Sequence, residues 1–248
     1  MHVSDDLYVG AAFIGGSNSS AGPSTMTQGV GPLGRNYTFD AVPAASNTVA
    51  NQNEICRSAN LPAGAMVLLA NGTTTVAGTD ANGTAILVMG EPRNIAIYSA
   101  ANHSAQTITV AGYDQYGQAM TETITCPNAT TVFGKKAFKS VKSCTSSGAI
   151  ASACVVGIGT SVGLPYRVTD MGYVGPISYG QAIVTWNSTN IIVADVTSTA
   201  TATTGDVRGT LTLGQTDGSK RLVVQIAIPA LGSGPSATRI GAVGTTQF

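Results

Sequence analysis

Charge is what this chain has least of. Only 10% of its 248 residues are Asp, Glu, Lys or Arg, against roughly 25% in ordinary globular proteins. Twelve basic and twelve acidic residues cancel. No net field therefore draws in DNA, RNA or an anionic membrane, and neither nucleic acid nor membrane is expected as a partner. A surface without net charge is also poorly protected against association, and reads as one meant to be covered. The competing reading is a Thr- and Gly-rich extracellular β domain.

Helix formers are scarce too. Glu occurs three times and Lys five times, against 32 Thr and 30 Gly. Thr suits the half-buried face of a sheet, whereas Glu and Lys favour helices, so strands are expected nearly throughout. With 43% hydrophobic residues and no net charge, the composition is opposite to that of a disordered chain.

The reactive residues are few and scattered. His2 and His103 lie far in sequence from Cys56, Cys126, Cys144 and Cys154, and no C-x-x-C occurs, so zinc spacing is missing. The N-terminus, Met1-His2-Val3-Ser4-Asp5-Asp6, lacks the basic and apolar regions of a signal peptide. Buried free thiols made in a reducing cytoplasm are expected. The longest nearly continuous apolar stretch, Ala63 to Ala70, is too short to span a bilayer. Seven Asn-x-Ser/Thr sequons, at Asn18, Asn36, Asn71, Asn82, Asn102, Asn128 and Asn187, follow from abundant Asn, Ser and Thr.

Catalytic motifs are missing as well. There is no G-x-S-x-G, H-E-x-x-H or Walker A sequence, and the glycines from Gly10 to Gly16 lack the strand-turn-helix frame of a dinucleotide site. Glu122 alternates with Thr on a face expected to be exposed. Asp80, Asp114, Asp195, Asp206 and Asp217 fall mostly at predicted turns, where turn chemistry explains them, and no calcium-loop run appears. The expectation is a protein that is not an enzyme, with no catalytic, cofactor-binding or metal residues. Tyr113, Tyr116 and Trp186 are the aromatics best suited to stacking on a sugar, although single aromatics in β proteins usually serve the core or an edge.

What is present is a series of strand signals. Residues 1–60 are rich in Gly, Ser, Asn and Pro but carry Tyr8, Phe13, Leu33, Tyr37 and Phe39. Two readings fit: an extended N-terminal arm laid into grooves on a neighbour, or the first strands of the local sheet separated by long loops. From Leu61, Ala65 to Leu69 reads as a buried strand ending at Asn71-Gly72. Asn82-Gly83 precedes Ala85 to Met89 in a small meander that Gly90-Glu91-Pro92 closes. Thr107 to Ala111 and Met120 to Thr125 alternate polar and apolar residues around a Gly- and Asp-containing turn, the best hairpin in the chain. Val132 to Val141 is expected as a strand pair, with Lys135, Lys136, Lys139 and Lys142 on a solvated face or a lysine-guarded edge. Further on, Ile183 to Trp186 and Ile191 to Ala194 flank a short turn, and Asp206 to Leu213 is expected to pair with Arg221 to Ile228. The reading is all-β: antiparallel β-sandwich or jelly-roll-like regions over 61–164 and 165–248, or one continuous domain, behind the arm.

Several segments resemble virion structural proteins of tailed bacteriophages. They are Thr107 to Gly117 followed by Thr121-Glu122-Thr123-Ile124, Lys136 to Val141, Gly157-Ile158-Gly159 leading to Gly163-Leu164-Pro165-Tyr166-Arg167, and Ala194-Asp195 followed by Ala200 to Thr210. Together they span roughly residues 105 to 213. The resemblance implies a head decoration, or cement, protein on the capsid exterior. Its partners would be the major capsid protein and copies of itself, and it would be made in the host cytoplasm. Asp206 and Arg208 would then form a local ion pair or an inter-subunit bridge. A tail, collar or head-fibre subunit is the alternative within the virion, and a glycan-binding or adhesive β module the alternative outside it.

Overall fold

The computed structural model describes residues 35–46, 55–56, 63–70, 75–150, 154–168, 171, 174–184, 187–188, 190–195 and 205–228. These form fourteen strands and no α-helix: β1 Arg35–Ala41, β2 Gly64–Ala65, β3 Thr75–Thr79, β4 Ala85–Ser99, β5 Thr107–Tyr113, β6 Ala119–Thr125, β7 Thr131–Phe133, β8 Phe138–Ser146, β9 Cys154–Gly163, β10 Val174–Tyr179, β11 Ala182–Val184, β12 Ile191–Ile192, β13 Thr210–Thr212 and β14 Leu222–Ile228. All pair antiparallel. The all-β expectation holds.

A small sheet runs β1-β14-β10-β11. A large one runs β12-β13-β9-β4-β8-β5-β6, with β2 on β8 and with β3 and β7 on β4. The large sheet curls into a half-barrel around Met89, Ile95, Ile97, Ile108, Val110, Ile124, Phe138 and Val141. A second core joins the two sheets through Phe39, Val162, Leu164, Ile177, Leu211, Val224 and Ile226. The strand β9 feeds both, with Ile158 in the first and Val162 in the second.

The hairpin β5–β6 forms in the register its alternation implies, from Thr107↔Thr125 to Tyr113↔Ala119. Ile108 and Val110 point inward and Thr107 and Thr109 outward. Its turn closes with Gly117 at a φ of 78°, a conformation that favours glycine. The Asn82-Gly83 turn likewise joins β3 to β4.

Longer-range pairings depart from the expectations. Gly90-Glu91-Pro92 does not close a meander but lies inside the 15-residue strand β4. Here the strand exchanges partners: its first half pairs with β3 and β8, its second with β9 and β7, and the register shifts on both sides of Arg93. Pro92, lacking an N–H, is tolerated where the ladder is interrupted. In the stretch from Ala63 to Ala70, regular pairing covers only Gly64 and Ala65, which bind β8, and Val67 is 71% exposed. The segments β7 and β8 do not pair with each other; both bind β4. Nor does Asp206 to Leu213 pair with Arg221 to Ile228. β13 joins the large sheet on β9, and β14 is central in the small one. β11 and β12 also lie in different sheets. Of the expected arm, residues 35–41 form β1 on β14, and residues 1–34 lie outside the described residues. The Asn71-Gly72 turn and Trp186 lie outside them too.

Candidate functional site

The curl of the large sheet brings β6 toward β7, and no backbone ladder joins them. Glu122 bridges this seam. The alternation in β6 places it with Met120 and Ile124, all three buried, and not with the outward Thr121 and Thr123. The exposed face expected for it is a parity error: residues two apart share a face. Its Oε1 accepts the Lys135 N–H at 2.6 Å, and both carboxylate oxygens lie 3.4 Å from the Lys136 amide nitrogen. Gly134 makes room, since a Cβ there would sit 2.5 Å from Glu122 Oε2 and 2.8 Å from Ile124 Cδ1. Burial raises the Glu122 pKa to about 7, against the lowering effect of the two amides.

Lys136 is fully buried in the same cluster, not on the solvated face expected for the lysines. Burial pulls its amine below the usual value, while Glu122, Asp206 and Asp195 oppose the shift. Burial likewise pushes Asp206 up. Among the other lysines, Lys135 is exposed, and Lys139 and Lys142 are half-buried. Lys142 meets Asp80 at 3.4 Å.

Beside this cluster opens a cleft of about 660 Å³, between β7 with the following turn and strands β9, β12 and β13. Asn94 holds its floor, donating to Gly134 O at 2.8 Å and accepting the Ser161 N–H at 2.8 Å. Ser161 and Thr212 hydroxyls meet at 2.8 Å. Phe133, Ile192 and Val193, each about 40% exposed, supply an apolar rim, with Lys135 and Asp195 as the charged groups. The volume suits a small molecule. Its hydrogen-bonding groups and its apolar rim suit a neutral ligand with polar and apolar faces.

Two buried arginines tie distant segments together. Arg208 pairs with Asp114 and lies 5.0 Å from the centroid of the Tyr116 ring. Tyr116 in turn donates to Pro165 O at 2.7 Å. The expected Asp206–Arg208 ion pair does not form, because residues 206–209 bend before β13 begins. Asp206 instead accepts the Arg208 N–H at 2.9 Å and the Ala137 N–H at 3.0 Å. Arg93, also fully buried, donates to Glu91 at 2.9 Å, Ala44 O at 2.7 Å, Thr216 Oγ1 at 3.0 Å and Gly159 O. It thereby fixes the segment after β1 and the β13–β14 connection to β4. Nothing in the sequence singles Arg93 out, since an arginine between Pro92 and Asn94 looks like a surface residue.

Turn chemistry accounts for three of the five aspartates as expected. Asp80, Asp114 and Asp217 each accept two backbone N–H groups within four residues downstream. Asp195 accepts the Gly205 N–H at 3.0 Å. Tyr113 also donates to Asp80 at 2.7 Å, which helps bring that carboxyl to about 2. His103 Nδ1 lies 2.6 Å from Ser99 Oγ, but Ser99 has no exposed surface, so this pair offers substrate no approach. Among the described residues no group of three or more His, Cys, Asp or Glu is placed to hold a metal. All four cysteines are buried free thiols.

Compared with protein-family models, curated proteins and solved structures, the chain matches none.

Proposed function

We propose that this chain is a virion structural protein. It would bind the capsid exterior as a decoration or cement subunit and stabilise the shell through contacts with the major capsid protein and with copies of itself. The observation that carries the reading is Ile183, 80% exposed on β11, which is the last strand of the small sheet among the described residues, in a chain without net charge. A short edge strand bearing an exposed Ile and no charge does little to prevent pairing with another chain. The buried ion pairs add support: Asp114 and Arg208, both from segments that carry the phage resemblance, are spent on joining parts of the fold. Cement proteins draw affinity from extensive neutral contact area and many copies acting together.

Cryo-electron microscopy of the particle tests the assignment by location and copy number. Regular density on the outer shell supports it, and density confined to the tail, collar or head fibres replaces it with the other virion role. Absence of the chain from purified particles overturns both.

One observation favours a second reading, a glycan-binding module: the cleft places the exposed Phe133 ring near the Ser161 and Thr212 hydroxyls. Binding on a glycan array that Phe133→Ala abolishes would favour it.

A further inference from the structure

One wall of the cleft is a single face of three paired strands, and register sets what that face carries. Ile192 lies opposite Thr210, and Thr212 lies opposite Ser161. Residues two apart on a strand share a face, as do residues opposed across a ladder. Ile192, Thr210, Thr212 and Ser161 therefore stand together on the cleft side. Their neighbours Ile191, Leu211 and Val162 point the other way, into the second core. The far wall is Phe133 with the turn that follows β7.

The hydroxyls on this face have unused bonding capacity. Ser161 and Thr212 bond to each other at 2.8 Å, which uses only one of the two hydroxyl protons and leaves lone pairs on both oxygens. Thr210 is 4% exposed, and its hydroxyl has no hydrogen-bond partner among the described residues. A nearly buried hydroxyl left unbonded is costly, so a ligand that bonds to it gains what the free protein lacks.

The chemistry of the lining narrows the ligand. A protein hydroxyl both donates and accepts, and a ligand hydroxyl matches it in both roles. Carboxylates and phosphates only accept, and they call for clustered cations. The charged groups here are one of each sign, Lys135 and Asp195. A wholly apolar ligand would suit Phe133 but leave Thr210 unbonded. We propose that the cleft binds an uncharged pyranose residue, its C–H face stacked on Phe133 and its hydroxyls bonded to Thr210 and the Ser161–Thr212 pair. This deepens the glycan-binding reading and rests on it, not on the capsid assignment.

The test titrates the full, isotope-labelled chain with methyl glycosides of glucose, galactose and mannose, and with that of glucuronic acid as the acidic comparison. Amide resonances are followed. At least one neutral glycoside should shift Gly134, Gly205, Thr210 and Thr212 saturably. Thr210→Val, which keeps the side-chain shape, should weaken that binding about three- to tenfold, the range for one hydrogen bond. If the variant fails to fold, wild type is titrated with deoxy analogues of the bound glycoside, one hydroxyl removed at a time. At least one should then bind weaker by the same factor. Binding of the glucuronide alone overturns the inference and leaves the glycan-binding reading standing. So does neutral binding that neither Thr210→Val nor any deoxy analogue weakens. If no sugar moves these amides, both fall.

Discussion

Arg208 and Asp114, 94 residues apart in sequence, form an ion pair that is almost entirely withdrawn from solvent. The pair anchors the tip of the β5–β6 hairpin to the bend that leads into β13. Removing one partner of such a pair leaves the other charge buried and uncompensated, at a cost of about 3–5 kcal/mol. Arg208→Met should lower stability by that amount in chemical denaturation. Adding Asp114→Asn should restore part of the loss, since it removes the stranded charge.

The seam between β6 and β7 makes a steric prediction. Gly134→Ala places a methyl group against Glu122 and Ile124, and should destabilise by about 1–3 kcal/mol through overpacking. Gly90→Ala is the matched control, because a Cβ there meets nothing within 4 Å. Thermal or urea unfolding of the two variants side by side checks this, and equal midpoints would contradict the geometry.

Glu122 also sets a pH dependence. Its carboxyl binds a proton below about 7 in the folded chain and below 4.5 in the unfolded one. Between these values the folded state holds more protons, so stability falls as pH rises from 4.5 to 7. The full effect is on the order of 3 kcal/mol. Asp206, raised by the same cause, contributes a slope of the same sign. The informative quantity is therefore the difference between wild type and Glu122→Gln, which keeps an acceptor for the Lys135 N–H and should flatten the curve in this window. Parallel curves would show that Glu122 titrates as it does in water.

Local patterns in the sequence translate well into structure, and long-range ones do not. The β5–β6 hairpin is readable because alternation and turn chemistry act within a few residues. The fate of Gly90-Glu91-Pro92 is not, because a turn signal says nothing of a strand that changes partners and continues. The misplacement of β13 has the same origin: Thr210 to Thr212 and Leu222 to Ile228 are adjacent strands by sequence, and only the competing ladder on β9 sends them to different sheets. At the site, Asp114 and Arg208 both lie in segments that carry the resemblance, yet which carboxylate the arginine chooses depends on where the chain bends. Lys136 and Glu122 look solvent-facing in the sequence because charged residues are seldom buried unless paired, and their neighbours come from three separate segments.

Self-association should respond to the small sheet's edge. Ile183→Lys puts a charge where contact is proposed, and edge lysines disfavour strand pairing. Sedimentation over rising concentration should show a shift toward monomer while stability stays within about 0.5 kcal/mol of wild type. An unaltered association profile would point away from this edge.

The long strand β4 has a consequence for cooperativity. Each half of the large sheet uses part of it, and Arg93 at its centre reaches segments on both sides of the second core. Neither core can melt without stripping partners from the other, so two hydrophobic clusters should yield a single unfolding transition. Across the described residues, a chain built this way transmits a pull at one end to both cores together.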